Sequence, residues 1–269
     1  MKNTISLIDI GVNLSDKRFS DDIEPVLERA QQTGIDKIVI TGTSEATSRT
    51  ALELIKQYDT HFPKMLYTTV GVHPHYSDSF THDSVNHLKE FANHPRVVAI
   101  GETGLDFNRN FSSQKNQINA FEQQLELAAK LQKPLFMHER DAAKQQLEIL
   151  HTHRDHLTQG VIHCFTGDQK TLFNYLDLDL HIGITGWICD ERRGLELQKL
   201  VKNIPLDRLM IETDAPYLLP RTLKAPPSNR RNEPCYLPWI LEMISDCRDE
   251  TPEMLASAIR KTTRAFFAI

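Results

Sequence analysis

The sequence lacks the features that mark secreted, membrane-bound and polybasic proteins. Only 4 of its 269 residues are cysteines, and these residues form no close pairs: Cys164, Cys189, Cys235 and Cys247. Their spacing is typical of reduced thiols and fits neither a disulfide framework nor a zinc knuckle. No apolar run approaches the roughly 20 residues of a membrane-spanning helix, and the stretch MKNTISLIDIGVN has no secretory signal pattern. We therefore expect a cytoplasmic protein that does not bind a membrane.

An excess of positive charge is also missing. The formal net charge is −5 and the pI is about 6.2, so the chain has no global basic field of the kind that drives non-specific binding of nucleic acids. Any phosphate group would have to be bound by a few local side chains. The 40% of hydrophobic and 25% of charged residues are ordinary for a globular protein with a buried core.

Short apolar runs rich in β-branched residues alternate with helical patterns along the chain. The eight predicted strands are residues 7–10, 37–40, 66–70, 97–100, 135–137, 161–163, 181–184 and 209–212. Helical spacing of apolar residues lies between them, for example in residues 23–33, 46–58, 114–131 and 194–203. Eight such units favour a (β/α)8 TIM barrel over an open doubly wound sheet.

The rest of the chain extends the predicted barrel without an interdomain linker. A proline-rich loop, residues 216–234, follows the last strand, and residues 236–248 and 253–267 are predicted to form two additional C-terminal helices. We therefore predict a single α/β domain over residues 1–269.

Histidines and carboxylates stand at the ends of several predicted strands. Glu102 follows the fourth strand, His138 the fifth and His163 the sixth, while Asp214 follows the eighth. Because all strand C-termini of a barrel open on one face, these side chains are expected to converge. Each alone is more simply explained as a structural residue, but a mixed His/carboxylate set is what a catalytic divalent metal requires. We predict that Glu102, His138, His163 and Asp214 bind such a metal.

Two further histidines, His73 and His75, follow the third strand in the turn GVHPH. A proline-containing turn suits contact with a substrate or a leaving group better than rigid metal ligation. The alternative, a pair of turn histidines in solvent, is equally compatible with the sequence.

Five spaced motifs resemble the TatD family of metal-dependent deoxyribonucleases. In chain order they are GETGLD (101–106), HERDA (138–142), HCFTG (163–167), GITG (183–186) and ETDAPY (212–217), and the similarity covers nearly the whole chain. The resemblance implies a TIM-barrel phosphodiesterase of the amidohydrolase superfamily. It also implies a Mg²⁺-dependent 3′–5′ exonuclease acting on single-stranded DNA or RNA, a role in DNA repair, and Glu102, His138 and His163 as metal ligands.

The first strand departs from the pattern of many family members, which carry His-x-His there. This chain has Asp9-Ile10-Gly11-Val12-Asn13 instead, which removes two imidazoles and weakens the case for a tightly held second ion. Oxygen donors in their place favour Mg²⁺, with Mn²⁺ or Zn²⁺ as alternatives. Asp9 is a further candidate ligand.

The predicted site suggests a mechanism for phosphodiester hydrolysis. The metal would bind a phosphate oxygen and acidify a water, and Asp214, as ligand, base or both, would accept the proton. His73 or His75 would assist the leaving group. We expect the enzyme to act as a monomer on the 3′ ends of single strands.

Three arginines are candidate phosphate ligands, since a guanidinium can bind phosphate through two parallel hydrogen bonds. For Arg140 the alternative is an ordinary ion pair, and for Arg230 and Arg231 it is a solvated charged segment. Four aromatic residues could either stack on bases or fill the core: Phe107, Phe165, Trp187 and Tyr217.

Two other functions are compatible with the same residues. The first is hydrolysis of an amide or ester bond, because the metal ligands alone do not distinguish phosphorus from carbon. The second is a non-catalytic barrel that binds nucleic acid and keeps only a vestigial rim.

Overall fold

Eight parallel strands form one sheet in the computed structural model, which describes residues 6–269. Each strand pairs with the next in chain order. The strands are β1 Leu7–Val12, β2 Ile35–Ile40, β3 Leu66–Val70, β4 Val97–Asp106, β5 Leu135–Arg140, β6 Gly160–Ile162, β7 His181–Ile184 and β8 Leu209–Ile211.

Helices follow the strands and cover the outside of the sheet. The α-helices are α1 Ile23–Gln32, α2 Glu45–Tyr58, α3 His82–Ala92, α4 Gln114–Leu131, α5 Ala143–His153, α6 Gln169–Asp177, α7 Leu195–Leu200, α8 Leu237–Asp246 and α9 Pro252–Phe267. Short 3₁₀ turns occupy Lys17–Phe19, Pro74–Ser79, Arg154–His156, Gly186–Cys189, Val201–Asn203 and Pro234–Tyr236. No helix of the described chain is long and apolar enough to cross a lipid bilayer.

The segment after β8 closes the ring against β1. Val12 and Ala215 form a parallel bridge, the amide of Asp214 donates to Gly11 O at 2.9 Å, and the amide of Asn13 donates to Ala215 O at 2.7 Å. This closure confirms the predicted TIM barrel and excludes the open sheet, whose first and last strands would lie far apart.

Apolar residues on both faces of the strands explain the two layers of the core. Inward-facing residues such as Ile8, Val39 and Phe136 fill the barrel, and outward-facing residues pack against the helices. The last helix, α9, begins at Pro252 with Thr251 as its N-cap. Its final residues include Phe266, which is buried in the inner core.

The predicted elements were confirmed with shifted ends. Strand β4 continues past residue 100 to Asp106, and β5 reaches Arg140. The helix predicted for residues 194–203 is shorter, because α7 ends at Leu200 and a 3₁₀ turn follows. Strand β8 ends at Ile211, so Glu212 lies just beyond it.

Candidate metal-dependent active site

Two glycines allow β4 to deliver Glu102 to the centre of the barrel mouth. Gly101 has φ +141° and Gly104 has φ +126°, a region that side chains disfavour. A Cβ atom at Gly101 would lie 2.0 Å from Phe136 O, and one at Gly104 would lie 2.0 Å from His138 O. Because neither position can carry a side chain, β4 approaches β5 closely and Glu102 lies beside His138.

Three imidazoles surround one oxygen of Glu102. Glu102 Oε1 lies 3.1 Å from His138 Nδ1, 3.4 Å from His73 Nε2 and 3.5 Å from His163 Nε2. Burial favours the neutral acid, but the influence of His73, His163 and His138 outweighs it and holds the pKa of Glu102 below its ordinary range. Glu102 therefore stays anionic among its neighbours.

The donor atoms at this mouth fit a divalent cation. They form two groups, His73 with Glu102 and His138, and His163 with Cys164 and Asp214, and within each group the ligand atoms lie within 4.8 Å of one another. In residues 6–269, His138 Nε2 is buried and makes no hydrogen bond, with Asp106 Oδ2 3.5 Å away. Such an atom is costly unless something binds it, and imidazoles with carboxylates are common metal ligands.

Asp214 lies on the β8 side of the site. Asn13 Nδ2 donates to Asp214 Oδ1 at 3.0 Å, so Asn13, just after β1, orients this carboxylate. Burial raises the pKa of Asp214 to about 7, with His163 opposing the rise and Glu102 adding to it. A carboxyl group of this kind can exchange a proton near neutral pH.

Asp9, the further candidate ligand, lies within β1 and contacts the segment that follows β8. Its carboxylate accepts the amide of Thr213 at 2.9 Å and the Thr213 hydroxyl at 2.6 Å. Burial raises the pKa of Asp9 to about 8. Asp9 belongs to neither donor group of the described chain. Its two hydrogen bonds to Thr213 connect β1 to the segment after β8.

Two carboxylates that the sequence analysis did not assign contact the site histidines. Asp106 Oδ2 lies 2.7 Å from His75 Nε2 and 3.5 Å from His138 Nε2. Glu212, which is fully buried, lies 2.7 Å from His163 Nδ1. The sequence carried a signal for both carboxylates. Asp106 follows Leu105 in the motif GETGLD, and Glu212 follows Ile211 and begins the motif ETDAPY.

The three candidate phosphate ligands lie in different surroundings. Arg140 Nη1 donates to Thr166 Oγ1 at 3.0 Å, and no carboxylate of the described chain pairs with its guanidinium. Arg230 is exposed. Arg231 forms ion pairs of 2.6 Å with Asp22 and 2.7 Å with Glu233, and this geometry favours a structural role over a phosphate contact.

The aromatic residues divide between the rim and the core. Phe165 is only 2% exposed and packs in the core, so of its two alternatives the structure supports core filling. Tyr217 is 48% exposed, and the Arg18 guanidinium lies 4.3 Å from its ring centroid. Phe111, which the sequence analysis did not select, is 67% exposed, and its ring lies 4.8 Å from that of His75.

These features define a TIM-barrel protein with a candidate divalent-metal centre beyond the C-terminal ends of its strands. The chain belongs to the TatD related DNase family, whose sequence model matches residues 8–268. It is 47% identical over 263 residues to the Salmonella typhimurium protein named 3′-5′ ssDNA/RNA exonuclease TatD, which covers 98% of this chain and 99% of the relative. The family predicted from the five motifs is confirmed.

Crystal structures of other family members share the fold. A TatD family hydrolase from Entamoeba histolytica superimposes with a TM-score of 0.90 at 28% identity, covering 97% of this chain and 98% of that one. A TatD homologue from Escherichia coli K12 gives a TM-score of 0.87 at 26% identity, with 98% of both chains covered.

Proposed function

We propose that the chain is a divalent-metal-dependent 3′–5′ exonuclease that hydrolyses phosphodiester bonds at the 3′ ends of single-stranded DNA or RNA. The observation that carries the proposal is the group of three imidazole nitrogens within 3.5 Å of Glu102 Oε1. It occurs in a chain that is 47% identical, over nearly its whole length, to a protein named as such an exonuclease.

Glu102, His138 and His163 would hold the ion, with Asp214 as a further ligand, as the base, or as both. A bound divalent ion supplies charge neutralisation to a phosphate group and acidifies water. We propose Mg²⁺ because two of these ligands are carboxylates, although Mn²⁺ and Zn²⁺ also accept imidazole nitrogen.

Asp214 would act on the attacking water and His73 on the leaving oxygen. Asn13 occupies Oδ1 of Asp214, which leaves Oδ2 to accept the proton of the attacking water. His73 Nδ1 accepts the amide of His75 at 3.1 Å, so a neutral His73 ring carries its proton on Nε2. This N–H group is directed into the site and would donate a hydrogen bond to the leaving oxygen.

Other residues at the rim of the barrel would bind the nucleic-acid strand. Arg140, whose guanidinium pairs with no carboxylate in residues 6–269, would offer N–H groups to a phosphate, and Arg230 is an exposed cation in the long loop after β8. His75, held by Asp106 at 2.7 Å, would contact the substrate next to His73.

End-labelled oligonucleotides test the proposal. Single strands labelled at the 5′ or the 3′ end are incubated with Mg²⁺, Mn²⁺, Zn²⁺ or chelator. We expect the 3′ label to be released first as mononucleotide, the 5′ label to remain on a shortening ladder, and both effects to stop with chelator. Attack from the 5′ end would contradict the polarity, and intact oligonucleotide with every ion would contradict the nuclease.

A variant pair localises the activity to the proposed centre. Glu102→Gln removes the central anionic oxygen and is expected to reduce nucleotide release by more than about 100-fold. Glu90→Gln changes an exposed glutamate of α3 and should leave activity unchanged. Full activity in Glu102→Gln, with an unchanged far-UV circular dichroism spectrum, would contradict the site.

Amide or ester hydrolysis and a non-catalytic barrel receive no specific support from the part of the chain that is described. A role in DNA repair, a monomeric state, a cytoplasmic location and a single-domain organisation remain predictions.

A further inference from the structure

A buried carboxylate lies beneath the proposed metal centre and uses both of its oxygens on one segment of the chain. Glu212 Oε2 lies 2.7 Å from His163 Nδ1, and Glu212 Oε1 accepts the amide of Cys164 at 2.7 Å. Glu212 has no solvent exposure, so these two contacts are made in a low-dielectric interior where hydrogen bonds are strong.

The barrel leaves space for this carboxylate at two neighbouring positions. A Cβ atom on Gly11 of β1 would lie 2.3 Å from Glu212 Oε2, and one on Gly183 of β7 would lie 2.6 Å from Glu212 Oε1. Real Cβ atoms do not approach oxygen this closely. The strands on either side of β8 therefore carry no side chain where Glu212 reaches across the barrel toward β6.

The contact decides which nitrogen of His163 can bind a metal. A carboxylate is a hydrogen-bond acceptor, so the ring nitrogen facing it, Nδ1, carries the proton. The lone pair is then on Nε2, which lies 3.5 Å from Glu102 Oε1 in the centre of the site. Carboxylates that hold a ligating histidine in this way also make it a stronger ligand.

The second oxygen of Glu212 fixes the backbone next to His163. Cys164 has φ +48°, a left-handed conformation that is uncommon for a residue with a side chain. The hydrogen bond from its amide to Glu212 Oε1 helps to hold this turn at the end of β6. Glu212 thus restrains both the ring and the main chain of His163.

We infer that Glu212 is a positioning residue that fixes His163 with Nε2 directed toward the metal. The inference rests on the proposed metal centre. It does not make Glu212 a ligand, because both of its oxygens are already engaged by His163 and Cys164.

The test is Glu212→Gln, which keeps the size of the side chain but has only one oxygen to accept hydrogen bonds, so it cannot accept from both His163 Nδ1 and the Cys164 amide. An amide NH₂ facing His163 would move the ring proton to Nε2 and block it as a ligand. Titration calorimetry with Mn²⁺ is expected to show an affinity about 10- to 100-fold below that of the wild type. The ¹⁵N shifts of His163, assigned with a His163→Gln variant, should report the changed tautomer without metal.

Asp190→Asn is the matched control. Asp190 is also a buried carboxylate and accepts the amide of Arg192 at 2.9 Å, but it contacts no histidine. Its loss should leave Mn²⁺ affinity within about twofold of the wild type. An equal loss of affinity in Asp190→Asn and Glu212→Gln would overturn the inference, because it would indicate a general effect of losing a buried carboxylate.

The two proposals fail in different ways. Absence of Mn²⁺ binding in the wild type would contradict the metal centre, whereas equal affinity in the wild type and Glu212→Gln would contradict the role of Glu212 alone. If Glu212→Gln does not fold, Glu212→Asp replaces it, since it retains the charge at a shorter reach. Reduced Mn²⁺ affinity in Glu212→Asp would support the inference, and unchanged affinity would overturn it.

Discussion

His73 and Glu102 face each other across the site with a defined proton between them. The amide of His75 occupies His73 Nδ1 at 3.1 Å, so the proton of the neutral ring is on Nε2, 3.4 Å from Glu102 Oε1. Burial lowers the pKa of His73 to about 3, which keeps the ring neutral. This relationship makes His73 a hydrogen-bond donor and not a metal ligand, because a protonated nitrogen cannot ligate.

The first prediction follows for His73→Ala. We expect kcat to fall about 100-fold or more, as for the loss of a hydrogen-bond donor to the charge that develops on the leaving oxygen, while Mn²⁺ affinity stays within about threefold of the wild type. An oligonucleotide with sulfur in place of the leaving oxygen needs no proton at that atom and should restore most of the rate. A parallel loss of Mn²⁺ affinity would show instead that His73 is a ligand.

Arg140 and Arg231 should respond differently to truncation. Arg140→Ala removes a guanidinium without a carboxylate partner in the described chain, and KM for oligonucleotides should rise about 10-fold, as for a charge-assisted hydrogen bond. Arg231→Ala breaks ion pairs to Asp22 and Glu233 and should lower the free energy of unfolding by about 1–3 kcal/mol with little change in KM. Initial rates and urea denaturation measure both. An Arg231→Ala variant of full stability and raised KM would restore this residue as a phosphate ligand.

Phe111 is expected to stack on a base of the substrate. The neighbouring Ser112 donates to His75 O at 2.9 Å, which anchors the exposed ring at the rim. Stacking contributes about 1–3 kcal/mol per base, so Phe111→Ala should weaken oligonucleotide binding at least about fivefold, and Phe111→Trp should retain it.

Phe173 of α6 provides the control for Phe111. It is 40% exposed and lies on a helix outside the rim. Fluorescence anisotropy with chelator present, where no cleavage occurs, compares Phe111→Ala with Phe173→Ala. Equal affinities in the two variants would remove Phe111 from the binding surface.

A buried histidine far from the site should make stability depend on pH. His181 begins β7, and its ring lies 4.7 Å from that of Phe266. Burial, aided by Arg208 and opposed by Asp179, lowers the pKa of His181 to about 4. A histidine in the unfolded chain titrates near pH 6.5. Between about pH 6.5 and pH 4, His181 is therefore protonated in the unfolded chain but stays neutral in the folded chain. The stabilising contribution of neutral His181 is therefore complete above about pH 6.5 and is lost progressively as the pH falls toward the folded pKa of about 4.

This prediction is measured as a difference between variants. The contribution of His181 should decline by up to about 1.4 kcal/mol per pH unit in urea denaturation from pH 7.5 to pH 4.5. His181→Gln should lose that part of the slope, whereas His94→Gln, at an exposed position, should keep it. Parallel stability curves for all three proteins would contradict the assignment.

The sequence predicted the fold and the group of residues at the barrel mouth for one shared reason. Apolar runs that end in Glu102, His138 and His163 are local features, and parallel strands of a barrel open on the same face whatever the helices between them do. Strand ends are therefore sufficient to predict which side chains converge. They do not predict the contacts that each side chain makes there.

Those contacts depend on residues far apart in the chain, and only the tertiary structure decided them. Arg231 is paired with Asp22 across 209 positions, and Glu212 reaches His163 across 49. The periodicity of apolar residues does not predict such pairings, because they depend on how loops pack over the rim and which strands lie opposite one another. The sequence by itself determined the barrel and its acidic and imidazole mouth. Tertiary packing determined which ring nitrogens face the centre, which carboxylates orient them, and that Arg231, unlike Arg140, is paired with carboxylates in the described chain.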